Sequence, residues 1–139
     1  VQVIEDKNKL LEKIIDNNFD YKNIALVEEK MNFSFPKTGV NGIKIVKNDA
    51  LWQKYQVSTN QPGLFLVTDT FYPGWNAYIN NKKTKIFKTN YAFRGIIISK
   101  GNHTIDFKYQ PQSFTYGVII SLTGIFLLIL FSLKKIGKK

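Results

Sequence analysis

The residues best placed to do chemistry lie in two short motifs. "VTDTFYPGW" (Val67–Trp75) puts Asp69 beside Tyr72 and Trp75, and "NYAFRG" (Asn90–Gly95) supplies Arg94. A carboxylate can move a proton or accept hydrogen bonds from a ligand, and an arginine grips carboxylate or phosphate through two parallel N–H bonds. Exposed Trp and Tyr rings suit stacking on a pyranose. Asp69 has no second carboxylate at a useful spacing, so the simpler expectation is a structural Asp that bonds turn amides or pairs with Arg94. Arg94 is expected to pair with Asp69 or Asp106. Pro73-Gly74 are turn residues, with Pro presetting the corner and Gly free to take positive φ. "FYPGW" is therefore expected to be an architectural corner, with Trp75 packed on the sheet or on the turn before Arg94, rather than an open sugar platform.

Other candidates are weaker. Lys82, Lys83, Lys85 and Lys88 form a basic hairpin with no acid nearby in sequence. They are read either as a solvated edge that discourages strand pairing or as a contact for anionic headgroups or an anionic wall polymer. Glu28 and Glu29 are adjacent, so in a strand they point to opposite faces and do not form an acid–base pair. "NFS" at Asn32 and "NHT" at Asn102 match the glycosylation acceptor pattern. There is no phosphate-binding glycine loop and no nucleophile elbow. With no Cys and one His, His103, neither a thiolate metal site nor a His triad is expected, and no cofactor.

These residues need elements to hold them. The chain has 139 residues and a net charge of +10, unevenly spread. Residues 1–29 carry seven acids and four bases, whereas residues 30–109 carry twelve bases and only Asp49, Asp69 and Asp106. Such asymmetry suits nucleic acid or an anionic membrane surface. The C-terminus decides between them. "FTYGVIISLTGIFLLILFSL" (Phe114–Leu133) is twenty uncharged residues, about 30 Å long as a helix, which matches a hydrocarbon core. "KKIGKK" follows it, and by the positive-inside rule that tail (134–139) is cytoplasmic. Residues 1–110 then lie outside, which disfavours nucleic acid. No earlier span exports them, so the chain is expected to be the C-terminal part of a longer membrane protein whose other transmembrane helices are its partners, along with membrane lipid.

Residues 1–22 read as a helix, with Leu10, Leu11, Ile14 and Ile15 in one apolar stripe, Asp6 as a cap and Asn17-Asn18 as its end. With the short strand "IALVEE" this makes an N-terminal region, 1–30. From 31 to 110 the pattern is of strands: 41–46, 52–59, 64–70, "NAYI" and "TKIFK" around an Asn80-Asn81 turn, 94–99 and 103–109. "LFLVTDT" is nearly all apolar at its start, as a central strand buried on both faces would be. The fold class is mainly β: an antiparallel β-sandwich with an N-terminal helix and a C-terminal transmembrane helix spanning 111–133.

The order of motifs resembles the C-terminal region of YfhO-type bacterial membrane proteins. The shared pattern is an apolar strand, Asp69 and "YPGW", a hairpin with a basic loop, "NYAFRG", a Gly-Asn-His turn, and "YQPQSF" leading into the final span. It covers about Leu64 to Leu133, and "ALVEE" also fits; Asn80-Asn81 stands where an Asp-Gly-like turn is expected. The resemblance implies a multi-span glycosyltransferase of the GT-C class that uses lipid-linked sugars. Its catalytic acids are expected between early spans outside this chain, so no catalytic residue carries over. The span, the absent catalytic set and the resemblance together point to a non-catalytic extracytoplasmic accessory domain and last anchor of such an enzyme; the aromatic turn and basic hairpin point to the alternative, a single-span surface module that binds glycan or an anionic polymer.

Overall fold

The computed structural model describes residues 1–21, 23–30 and 40–136. Among these, ten strands and two helices fall into two compact units, Val1–Tyr109 and Gln110–Lys139.

The first unit opens with β1 (Gln2–Val3), helix α1 (Lys7–Ile15) and β2 (Leu26–Val27). β1 and β2 pair in parallel, which demands a crossover, and α1 lies within it. The Asp6 side chain accepts hydrogen bonds from the Asn8 and Lys9 amides at 2.8 and 3.3 Å, the expected N-cap. The helix is nine residues long, not the 1–22 read from the stripe. Asp16 ends it in an extended conformation and accepts from the Asn18 amide at 2.9 Å, a local bond that competes with another helical turn. Leu10 is the one stripe residue that is fully buried; Ile15 is 75% exposed.

The remaining strands are β3 (Val40–Asn48), β4 (Trp52–Thr59), β5 (Gly63–Thr70), β6 (Trp75–Ile79), β7 (Lys82–Thr84), β8 (Phe87–Thr89), β9 (Phe93–Ile98) and β10 (Gly101–Tyr109). One sheet has the order β1-β2-β8-β9-β5, and the other β3-β4-β10-β6-β7. All pairs but β1·β2 are antiparallel. Tyr55, Val57, Ala77, Ile105 and Phe107 from the second sheet meet Phe65, Val67, Ile96 and Ile98 from the first in one buried core. This is the expected mainly β architecture of two packed sheets.

Asn80 and Asn81 both take positive φ, 49° and 67°, so the β6–β7 hairpin has the turn their side chains favour. Two details differ from the reading of the sequence. "TKIFK" is not one strand: the chain leaves the second sheet after Thr84 and joins the first at Phe87, with Ile86 packed on the core between them. Among the described residues β5 is not central but lies at the edge, paired only with β9. Its apolar run has another cause. Phe65 and Val67 face the core, while Leu64 covers Gly95 on the neighbouring strand, where a Cβ would lie 3.1 Å from Leu64 Cδ1.

The second unit contains α2 (Gln112–Ile136). Its segment Gln112–Phe131 is long and apolar enough to cross a membrane, and none of it is buried within the structure. Thr123 returns its hydroxyl proton to the Ile119 carbonyl at 2.8 Å, which satisfies it inside the helix.

Candidate functional site

The pleat determines which side chains meet. On β4 the alternate residues Gln53, Tyr55, Val57 and Thr59 are buried, so Gln53 continues the inward row. On β9 the inward row is Arg94, Ile96 and Ile98, and on β10 it is Ile105 and Phe107, continued by Tyr109. Tyr109 pairs with Trp75 on β6, and Phe107 with Ala77. On β5, Phe65 and Val67 are followed by Asp69, and the register with β9 shifts between Val67 and Thr70. Such a bulge re-aims a side chain. At one end of the sandwich, therefore, the apolar core gives way to Gln53, Asp69, Arg94, Trp75 and Tyr109.

Arg94 is 1% exposed, a nearly fully buried cation. Its Nη2 donates to Asp69 Oδ2 at 3.2 Å and to Gln53 Oε1 at 3.0 Å. The Gln53 amide nitrogen donates to the same Asp69 oxygen and to Asn48 Oδ1 at 3.2 Å. Nε and Nη1 of Arg94 are buried without a hydrogen-bond acceptor. The guanidinium carbon lies 3.8 Å from the Trp75 ring centre and 5.3 Å from that of Phe107, so π faces serve where acceptors are missing. Burial pulls the Arg94 pKa below its ordinary value, and the Asp69 charge works against that shift. Burial raises the Tyr55 phenol above its ordinary 10.0; Asp69 adds to this and Arg94 opposes it.

The ring of Trp75 stands 5.4 Å from Tyr109, and Tyr109 stands 6.5 Å from Tyr72. The three rings, with Leu51, Gln53, Asp69 and Arg94, border a cavity of about 490 Å³. Among the described residues Asp69 is the one carboxylate that lines it. The turn is fixed by Gly74 at φ 111° and by Phe71 N donating to Ala92 O at 2.6 Å, which joins "FYPGW" to "NYAFRG". Asn90 and Tyr91, both at positive φ, turn β8 into β9, and Asn90 Oδ1 accepts from the Leu26 amide at 2.7 Å.

Asp69, Tyr72, Trp75 and Arg94 thus come together at one cavity, and Trp75 packs on Arg94 and the core edge. The four lysines differ in their neighbours. The absence of nearby acid holds in sequence but not in space. Pairing of β2 with β8 carries the two glutamates across, so Lys88 Nζ lies 2.9 Å from Glu28 and Lys85 pairs with Glu29. Lys82 and Lys83 remain exposed on edge strand β7. Asp106 is not a partner of Arg94: it accepts from Trp52 Nε1 at 2.7 Å and lies 4.0 Å from Lys54. Asn102 is exposed, and Asn32 falls outside the described residues. Gln53 and Tyr109 are the site residues that the sequence reading did not pick out, although the period-two row through Tyr55 and Val57 contains the first.

Residues 6–121 match the family of bacterial membrane protein YfhO, a span that includes every residue of the site. The chain belongs to the YfhO family. It is 34% identical over 124 residues to a protein of Bacillus subtilis (strain 168) named uncharacterized protein YfhO. The alignment covers 84% of this chain and 14% of that relative, so the chain corresponds to a small part of the YfhO protein's length. No solved structure matches the chain. Family membership makes this a membrane protein, and α2 fits that location.

Proposed function

We propose that this chain is the extracytoplasmic accessory domain and last membrane anchor of a multi-span YfhO-family protein that transfers sugars from lipid-linked donors. The observation that carries the non-catalytic part is the state of Asp69. It is the single carboxylate at the cavity among the described residues, and the Arg94 guanidinium and Gln53 amide hold one of its oxygens. Hydrolysis or transfer at a glycosidic bond by paired carboxylates needs a second such group about 5–10 Å away, and the cavity lining has none. Transfer from a lipid-linked donor expels a phosphate and needs one base, which the family resemblance assigns to residues elsewhere in the parent. The apolar α2 and the basic residues after it support an anchor with the sandwich outside. Ser113, Gly117 and Ser121, at four-residue spacing, line a groove on α2, the surface of small residues by which another transmembrane helix approaches closely.

The test is sugar transfer by membranes that contain the full-length parent. Asp69→Asn is expected to leave kcat within about twofold, because a group that only positions or binds is absent from the bond-breaking step. Loss of kcat by about a hundredfold or more, the size expected for a general acid or base, would place chemistry in this domain and overturn the reading.

A further inference from the structure

We propose that the cavity bordered by Asp69 and the Tyr72–Trp75–Tyr109 rings is a binding site for an uncharged pyranose unit. The inference rests on the geometry of the cavity alone and holds whichever side of the membrane the sandwich occupies.

The first argument is the aromatic wall. Tyr72 leaves 61% of its surface exposed, next to two rings that are already partly packed. An exposed aromatic face carries a negative quadrupole that attracts the weakly positive C–H face of a sugar, and Tyr72 offers one beside Tyr109 and Trp75, of which Trp75 is the packed corner stacked on Arg94. A cavity of about 490 Å³ accommodates such a ring and lies in the ordinary range of ligand sites.

The second is the carboxylate. Asp69 Oδ2 is held by Gln53 and Arg94, while Oδ1 makes no hydrogen bond among the described residues, and 52% of the side chain is open. An ionised oxygen held in place by buried partners is a ready acceptor for hydroxyl donors, and charge-assisted bonds of this kind are roughly twice as strong as neutral ones. Gln53 is itself oriented, because its oxygen accepts from Arg94 and its nitrogen donates to Asn48 and Asp69. The acceptor is thus organised before the ligand arrives, which lowers the cost of binding.

The third is the order of charges. Both charges border the cavity, but Arg94 is 1% exposed whereas 52% of the Asp69 side chain is open. A phosphate or carboxylate ligand meets the more exposed charge of the pair, the Asp69 carboxylate, and repulsion disfavours it. A metal ion would need more oxygen ligands than one carboxylate, and no cluster of three acidic, His or Cys groups exists among the described residues. What remains is a neutral ligand with C–H faces and several hydroxyls.

The experiment titrates the chain, reconstituted in nanodiscs, with methyl glycosides of glucose, galactose and N-acetylglucosamine. Titration calorimetry and saturation-transfer NMR provide the readouts, with methyl glucuronide and glycerol 1-phosphate as anionic arms. At least one neutral glycoside is expected to bind saturably. Methyl glucuronide is expected to bind at least tenfold more weakly than methyl glucoside. Tyr72→Ala, whose ring is largely exposed and whose removal leaves the fold intact, is expected to weaken binding at least tenfold, and Asp69→Asn likewise. The proposal is overturned if no neutral glycoside binds, if an anionic arm binds more tightly, or if both variants keep their affinity within twofold. Because the readout is binding by this chain, failure here leaves the transfer assay of the parent unaffected, and the converse also holds.

Discussion

Replacing Asp69 with Asn tests how the buried arginine is held. Arg94 is 1% exposed, and among the described residues its one anionic partner is Asp69 at 3.2 Å and two of its nitrogens lack acceptors. Removing one partner of a fully buried ion pair costs about 3–5 kcal/mol. Asp69 is 52% exposed, so solvent screens part of that interaction and the figure shifts toward the 0–1 kcal/mol of exposed pairs. We expect a loss of about 2 kcal/mol, or about 8–12 °C in Tm for a unit of this size. Arg94→Met removes the cation together with its desolvation penalty, which offsets the lost stacking on Trp75, so its net effect should stay within about 1 kcal/mol of zero. The double variant should then resemble Arg94→Met alone, a coupling of about 2 kcal/mol in a double-mutant cycle. Chemical denaturation of the detergent-solubilised chain, followed by the fluorescence of Trp52 and Trp75, measures all four corners. Additive effects, or an Asp69→Asn variant within about 0.5 kcal/mol of the parent chain, would refute the reasoning.

Gly95→Ala should destabilise the sandwich by about 1–3 kcal/mol, because a Cβ would lie 2.5 Å from Thr89 Oγ1 and 3.1 Å from Leu64 Cδ1; thermal unfolding checks this, and Thr89→Ala should relieve part of the loss. Trp52→Phe should cost about 1–3 kcal/mol, read from the same unfolding curves, by leaving the buried Asp106 without its 2.7 Å donor. The raised Tyr55 pKa means that the native state favours the neutral phenol. Its contribution is complete below the ordinary 10.0 and is lost as pH rises through the folded value. The parent chain should therefore lose more stability than Tyr55→Phe between pH 9 and about pH 11, measured as the shift in denaturation midpoint; equal losses would remove this role from Tyr55.

The strands and their turns were legible because period-two alternation and Asn-rich turns are local signals. β4 was read at its observed bounds, and Asn80-Asn81 take the backbone conformation their side chains favour. The edge position of β5 was not legible, since apolar side chains on its outer face mimic a second buried face when Leu64 covers the glycine of a neighbouring strand. The parallel β1·β2 pair was missed because two-residue strands carry no period. At the site, the Arg94–Asp69 pair was expected, whereas the pairing of Lys85 and Lys88 with Glu29 and Glu28 depends on a sheet order that brings together residues more than fifty positions apart. Gln53 required the inward row of β4 to be extended by one step past Tyr55, where a polar residue broke the apolar pattern.

The side of the membrane on which the sandwich lies is the claim on which the proposed function turns, and cysteine accessibility measures it directly. The chain has no cysteine, so Lys83→Cys on exposed strand β7 and Lys138→Cys in the basic tail each introduce a single thiol in a cysteine-free full-length background. A membrane-impermeant maleimide added to intact cells should label position 83 and leave position 138 unlabelled until the membrane is permeabilised. Labelling of position 138 in intact cells, with position 83 protected, would contradict an extracytoplasmic domain.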